Sequence, residues 1–148
     1  MDEAKIKRLF PKCFPENIQK TIRDIGHDEE IDVYRVCRWG KVDENAFLGS
    51  YEEHEKGLNE IGDLDPTDVG SYSTSVYEKF RDIKNFYRLV HKPNRNPKAI
   101  VIKTKTWKNN GLVQRTRERT GKKTSHIDWW IYADAEPYKY EYEEVDMT

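Results

Sequence analysis

The stretch that decides the fold is Ser125-His126-Ile127-Asp128-Trp129-Trp130-Ile131-Tyr132, because its β-branched and aromatic residues favour a strand. Side chains point to alternate faces of a strand. One face carries an apolar set that we expect to form core: Ile127, Trp129 and Ile131. The other carries a half-polar set with an aromatic floor: His126, Asp128 and Trp130. We expect this second face to form one wall of a ligand site, because a planar ligand can rest against an aromatic ring.

The length and composition indicate one folded domain. The chain has 148 residues, which on size alone predicts a single domain over residues 1–148. Charged residues make up 36% of it, and a high charge content by itself favours disorder. The 4 Trp, 9 Tyr and 5 Phe argue for folding, because large aromatic side chains are costly to leave in water.

Several classes of protein are disfavoured by the sequence. Cys13 and Cys37 are too few for a disulfide scaffold, and no C-x-x-C spacing is present. The 4 histidines are scattered, so we expect no metal site. We find no signal-peptide pattern and no apolar run of about 18 residues. A cytoplasmic protein without a membrane partner is therefore the expectation.

Apolar spacing predicts an α+β domain, in which N-terminal helices precede strands and one longer helix. Residues 1–30 form the helical N-terminal segment: one helix spans residues 4–10, and Pro15 opens a second that ends at Gly26. Residues 31–148 form the α+β core. We expect its sheet to be mainly antiparallel or mixed, with the helix over residues 76–91 packed on it.

Strand and turn signals divide the core further. The pattern predicts a helix over residues 46–56 with Asp43 as its cap, and a loop over 63–75 from which Thr74 or Ser75 caps the longer helix. The Asn110-Gly111 pair favours a tight hairpin. The predicted strands cover residues 30–39, 98–107, 126–132 and 138–145.

Arg35 lies on the first predicted strand and shares a face with Val33. If Val33 is buried, Arg35 is buried too, and a buried guanidinium requires a partner. Two interpretations are open. The partner is a carboxylate of the protein, which gives a structural ion pair, or it is the phosphate or carboxylate of a ligand, held by the planar guanidinium fork.

Hydroxyl groups are concentrated in Gly70-Ser71-Tyr72-Ser73-Thr74-Ser75, just before the longer predicted helix. Such residues most often cap a helix, but three consecutive hydroxyl residues exceed what one cap requires. Ser73 and Ser75 share a face if the segment is extended. One of them can then cap the helix while the other orients a neighbour or a ligand.

Charges are segregated along the chain, although the formal net charge is −1. Residues 24–68 and the tail after Asp134 are acidic, whereas residues 103–123 are basic. These charges either neutralise one another across the fold or form a local anion-binding surface. In the second case an extended basic segment would contact the phosphates of a nucleic acid, with Trp107 and Trp129 stacked on bases. The cations concerned are Arg115, Arg117, Arg119, Lys122 and Lys123.

His126 and Asp128 form a pair suited to acid–base chemistry near neutral pH. The sequence places no Ser or Cys nucleophile beside them. The pair therefore indicates one part of a site that other strands complete, and not a catalytic centre on its own.

Arg35, then Ser73-Thr74-Ser75, then a late acidic residue on a strand resemble the Arg, Ser-Thr-Ser and Glu motifs of arginine-type ADP-ribosyltransferases. Two places fit the last position: Asp128, or the segment Glu141-Tyr142-Glu143 with Glu143 as its acid. The resemblance implies an α+β fold split around a cleft for the cofactor nicotinamide adenine dinucleotide (NAD). By this resemblance Arg35 would hold the phosphates, Ser73 would orient the motif, and the acid would steady the ribose as its glycosidic bond opens.

The sequence thus predicts a cleft in which a nucleotide or dinucleotide binds and ADP-ribose is transferred, with a macromolecular target as acceptor. Its expected lining is Arg35, Tyr72, Ser73, His126, Asp128 and Trp130. The alternative is a non-catalytic nucleic-acid- or protein-binding module that uses the basic residues 103–123. A third interpretation is a protein that inhibits a partner through its acidic surface.

Overall fold

A six-stranded antiparallel sheet organises the computed structural model, which describes residues 8–59, 62 and 64–148. The strands in chain order are β1 (Asp32–Cys37), β2 (Thr74–Tyr77), β3 (Ile100–Lys105), β4 (Gly111–Arg115), β5 (His126–Ile131) and β6 (Glu143–Val145). Their order across the sheet is β4-β5-β2-β1-β3-β6, and each neighbouring pair is antiparallel. The predicted α+β class is confirmed.

Helices cover parts of this sheet. They are α1 (Glu16–Ile25), α2 (Ser50–Glu55), α3 (Phe80–Val90) and α4 (Thr116–Thr120), with short 3₁₀ turns at Val69–Tyr72 and Pro137–Lys139. In the part of the chain that the structure describes, each helix is too short or too polar to cross a membrane.

The second predicted N-terminal helix is confirmed as α1. It begins after Pro15, whose missing N–H costs nothing at a helix start, and the chain leaves the helix at Gly26. Ile18 and Ile22 are its buried residues. The helix predicted over residues 4–10 lies mostly outside the described residues, and residues 8–10 are not helical.

The longest described helix, α3, packs on the sheet as predicted but starts later than expected. Thr74 and Ser75 are not its caps, because they belong to β2. Val76 pairs with Ile127 of β5, and both side chains are fully buried. Pairing in the sheet therefore prevails over helical spacing for residues 76–77, and the helix begins only at Phe80.

Three other local predictions were wrong in detail. The turn at Asn110-Gly111 does not form a hairpin, because β3 and β4 lie at separate positions in the sheet. The helix over residues 46–56 is shortened to α2, which begins after Gly49, and Asp43 instead accepts a hydrogen bond from the Asn45 N–H. The last strand shrinks from residues 138–145 to the three residues of β6.

Each face of the sheet is largely covered. The Trp129 face, with Val33, Val76 and Ile127, packs against Phe47. The opposite Trp130 face carries two separate cores: one around Trp130 beneath α1 and the Val69–Tyr72 turn, the other around Val36 and Val101 beneath α3. Between these two cores the sheet carries polar side chains.

The sheet is split between β1 and β2. These strands pair at one position, Tyr34 with Tyr77, whereas β1 and β3 pair along six residues. Residues 46–48 fill the resulting gap. Their carbonyl groups accept hydrogen bonds from Arg35 on one side and from Thr74 Oγ1 on the other, the latter 2.7 Å from the Phe47 oxygen.

Candidate functional site

Asp128 is the centre of a polar cluster on the Trp130 face. Its side chain is 2% exposed, and a buried carboxylate is stable only when it is hydrogen-bonded. Ser73 Oγ donates to Oδ1 at 2.7 Å, while Thr116 Oγ1 and Arg119 Nη2 each donate to Oδ2 at 2.8 Å. Together with His126, these residues are called the Asp128 cluster: Ser73, Thr116, Arg119, His126 and Asp128.

Strand pairing and one tight turn bring the cluster together. Ser75 of β2 and Gln114 of β4 lie opposite Asp128 on its two sides. The chain then turns from β4 directly into α4, which folds back over β5 and ends at Gly121 with φ +73°. Gly70 gives the Arg119 guanidinium room, because a Cβ at that position would lie 2.9 Å from Nη2.

His126 stands at the solvent side of the cluster. Its side chain is 18% exposed, its ring meets the Tyr77 ring edge-on at 5.1 Å, and Nδ1 is 2.5 Å from Thr116 Oγ1. Burial lowers the pKa of His126 below its ordinary value, and Arg119 and Arg35 lower it further, while Asp128 opposes them. The imidazole is therefore neutral at neutral pH.

Arg35 is buried with Val33, as the alternation of β1 predicted. Its three bonds go to backbone carbonyls: Ala46 and Ser75 at 3.0 Å and Leu48 at 3.3 Å. Glu53 lies 3.8 Å from Nη2. The guanidinium therefore closes the gap between β1 and β2, and the predicted cleft in which Arg35 and Asp128 face one ligand is not formed.

Tyr72 and Trp130 do not line a ligand surface. Their side chains are buried, at 2% and 0% exposure. Trp130 Nε1 donates to the Val69 oxygen at 3.0 Å, and the Tyr72 hydroxyl donates to the Pro66 oxygen at 2.8 Å. The aromatic floor predicted from the alternation of β5 was wrong, because α1 and the Val69–Tyr72 turn cover that part of the Trp130 face.

Glu143 lies far from the Asp128 cluster. It is an exposed residue of β6 that pairs with Lys103, and β3, β1 and β2 separate β6 from β5. The two acids considered for the last motif position are therefore at different places, and Asp128 is the one beside Ser73.

The basic stretch does not form an extended row of cations. Arg115 ends β4 and bonds to Glu78 at 3.0 Å and Glu29 at 3.4 Å, so acidic side chains neutralise it within the fold. Arg119 bonds to Asp128. Helix α4 interrupts the row, and Trp129 is too deeply buried to stack on a base. Of the five cations named from the sequence, three remain exposed: Arg117, Lys122 and Lys123.

Thr116 was not identified from the sequence. A threonine after a strand is typical of a helix start, and no spacing in the sequence connects it with Asp128. Its role depends on the turn of α4 over β5, which is a tertiary contact.

A cavity elsewhere in the fold is unsuited to a phosphate. It has a volume of about 340 Å³ and is lined in part by Glu44, Glu52, Asp134 and Glu136. Carboxylates repel a phosphate group. Among the residues that the structure describes, no three His, Cys, Asp or Glu side chains are grouped so as to hold a metal ion.

The chain matches no protein-family model, no curated protein and no solved structure.

Proposed function

We propose that the protein binds a phosphate-bearing nucleotide beside the Asp128 cluster and α4, and that it transfers the ADP-ribosyl group of NAD. The observation that carries this proposal is the 2.7 Å hydrogen bond between Ser73 Oγ and Asp128 Oδ1. This bond joins the Ser73-Thr74-Ser75 motif to Asp128, one of the two acids in the resemblance. Arg35 bonds to Ser75 of the same motif, and β5, β2 and β1 are consecutive in the sheet.

Asp128 is suited to stabilise the reaction electrostatically. Loss of nicotinamide leaves positive charge on the ribose, and a fixed carboxylate in a site of low dielectric constant lowers the energy of that charge. Ser73 and Thr116 hold the two carboxylate oxygens in place. A preorganised group of this kind needs no reorganisation as the reaction proceeds.

The cations of α4 and the turn after it are suited to the phosphates. Arg117, Lys122 and Lys123 are exposed next to Arg119. Arg119 uses one N–H on Gln114 and one on Asp128, and a guanidinium has five donors. The other donors fit a phosphate oxygen, for which a planar guanidinium is well shaped.

Arg35 receives a different role from the one that the resemblance implies. Because its donors point to the carbonyl groups of residues 46–48 and Ser75, we assign it to holding β2 in position and not to the cofactor's phosphates. Phosphate binding then falls to α4.

The direct test is nicotinamide release from NAD by the purified protein. We expect release above a protein-free control, and a loss of about 100-fold or more in Asp128→Asn, the size associated with removing one electrostatic stabiliser. Glu143→Gln is the matched control, because it removes the charge of the other acid of the resemblance at an exposed site. Its rate should equal that of the unaltered protein.

A set of thermal-shift measurements separates this function from the alternatives. NAD or ADP-ribose should raise the melting temperature if a nucleotide binds the native state. Absence of both nicotinamide release and a nucleotide-dependent shift would refute the proposal. A shift with oligonucleotides alone, weakening steeply with salt, would favour nucleic-acid binding through Arg117, Lys122 and Lys123.

A further inference from the structure

The hydrogen bonds around Thr116 determine where its single hydroxyl proton lies. Oγ1 is 2.8 Å from Asp128 Oδ2 and 2.5 Å from His126 Nδ1. An ionised carboxylate can only accept, so the Thr116 proton points to Asp128. The remaining contact then requires His126 Nδ1 to carry a proton and donate it to Oγ1.

The other ring nitrogen of His126 is thereby left as an acceptor. A neutral imidazole has one protonated and one unprotonated nitrogen. Within the described residues, Nε2 has no hydrogen-bond partner, and it is not one of the unpartnered polar atoms that are fully buried. A chain of hydrogen bonds therefore runs from His126 Nδ1–H to Thr116 Oγ1–H to Asp128 Oδ2. The basic lone pair of Nε2 lies at its outer end.

We propose that Thr116 is a positioning residue, which fixes the tautomer of His126 so that Nε2 accepts the proton of the attacking group. Thr116 does this without touching the substrate. Its hydroxyl transmits the orienting effect of the Asp128 charge across the 4.0 Å that separates Nδ1 from Oδ1, which is too far for a direct hydrogen bond.

The use of that proton acceptor rests on the proposed function. The hydroxyl oxygen of water or of an acceptor side chain bonds to C1′ of the ribose, and the bond from C1′ to the nicotinamide nitrogen breaks. The bonding electron pair leaves with that nitrogen, which changes from cationic to neutral. His126 Nε2 takes the hydroxyl proton, and Thr116 and Asp128 stabilise the resulting imidazolium.

The neighbours of His126 are consistent with a neutral base. Tyr77 of β2 lies edge-on to the ring, and Asp128 lies on the same strand. The cations whose charge acts on it are Arg119 of α4 and Arg35 of β1. Burial and these cations lower the pKa of His126 from its ordinary value, and the charge of Asp128 opposes them, so Nε2 is unprotonated at neutral pH.

Nitrogen NMR of the histidine ring tests the tautomer without any requirement for activity. The protein has 4 histidines, and His126→Gln assigns the resonances of His126. We expect the Nδ1–H tautomer in the unaltered protein at neutral pH. In Thr116→Val the population should move toward Nε2–H, since Nδ1 loses its acceptor, and Thr116→Ser should restore it. Thr120→Val is the matched control, because the Thr120 hydroxyl donates to the Thr116 carbonyl and accepts from the Lys122 N–H, and is bonded neither to His126 nor to Asp128.

The kinetic readout separates this inference from the function on which it rests. Thr116→Val should lower kcat for nicotinamide release about 10-fold or more with KM little changed, and move the acid limb of the pH profile to lower pH. Thr116→Ser should recover most of the rate. An unchanged tautomer in Thr116→Val, or Nε2–H in the unaltered protein, would overturn the inference. The expected tautomers without nicotinamide release would uphold the positioning role of Thr116 and reject the transferase.

Discussion

Two buried charges on neighbouring parts of the sheet, Asp128 and Arg35, are neutralised in different ways. The partners of Asp128 are side chains: two hydroxyl groups and a guanidinium, at 2.7–2.8 Å. The hydrogen-bond partners of Arg35 are carbonyl groups of the backbone, at 3.0–3.3 Å. Asp128 is connected to solvent through His126, whereas Arg35 is enclosed by residues 46–48.

The difference indicates which of the two charges is available for chemistry. A side-chain partner can rotate to another group at the cost of a rotamer change. A backbone partner can be exchanged only if the strand or the segment that carries it moves. Arg35 is therefore part of the framework, and the side chains of the Asp128 cluster are the ones available to a ligand.

The largest predicted effect is on stability at Arg35. Arg35→Met should lower the free energy of unfolding by about 3–5 kcal/mol, because Glu53 loses a cationic neighbour and three carbonyl groups lose their donor. Asp128→Asn keeps its shape and most of its bonds, so it should cost only about 1–3 kcal/mol. Urea unfolding followed by Trp fluorescence measures both.

Arg35→Lys serves as the second variant if Arg35→Met does not fold. It keeps the positive charge near Glu53 but cannot reach three carbonyl groups with a planar fork, so its stability should lie between those of the unaltered protein and Arg35→Met. A variant as stable as the unaltered protein would show that the carbonyl contacts of Arg35 are not structural.

Much of the fold was predictable because it depends on local patterns. Pro15 and Gly26 delimit α1, and the alternation in β3 and β5 follows from β-branched and aromatic residues. The pairing of Val76 with Ile127 was not predictable, since a helical spacing and a strand compete for residues 76–77 and only the partner strand decides between them.

The site was predictable only in part for the same reason. Alternation placed His126 and Asp128 on one face, and the resemblance placed Ser73 with an acid; Ser73 does contact Asp128. The burial of Trp130 depends on what covers the opposite face, which a strand pattern does not encode. Thr116 and Arg119 join Asp128 through the fold of α4, a contact without a sequence signature.

A smaller effect is expected from His126, at the solvent side of Asp128, on the pH dependence of stability. It sharpens the comparison between the Asp128 cluster and Arg35. The folded pKa of His126 is lowered from its ordinary 6.5. Just below pH 6.5 the unfolded chain therefore binds a proton that the folded chain does not, so stability falls as the pH falls from 6.5 toward the folded pKa. His126→Gln should remove this contribution. The difference in unfolding free energy between His126→Gln and the unaltered protein should therefore change between pH 6.5 and the folded pKa.

His54→Gln is the control for this pH series, because His54 is exposed on α2. Both variants are compared with the unaltered protein from pH 5 to pH 7.5. If the difference in unfolding free energy for His126→Gln varies with pH no more than the difference for His54→Gln, the proton affinity of His126 does not change on folding, and its place beside Asp128 has no electrostatic consequence.

The smallest effect on stability, and a selective one on binding, is expected for the exposed cations beside Asp128. Arg117→Gln combined with Lys122→Gln should change the free energy of unfolding by no more than about 0.5 kcal/mol, because both side chains are exposed. The pair should nevertheless weaken binding of ADP-ribose and reduce the salt dependence of that binding, since it removes two charges near the phosphates. Titration calorimetry at two salt concentrations measures both quantities. Lys20→Gln combined with Arg88→Gln removes the same charge from α1 and α3, so equal weakening by this control pair would mean that net charge, and not the position of α4 beside the Asp128 cluster, attracts the ligand.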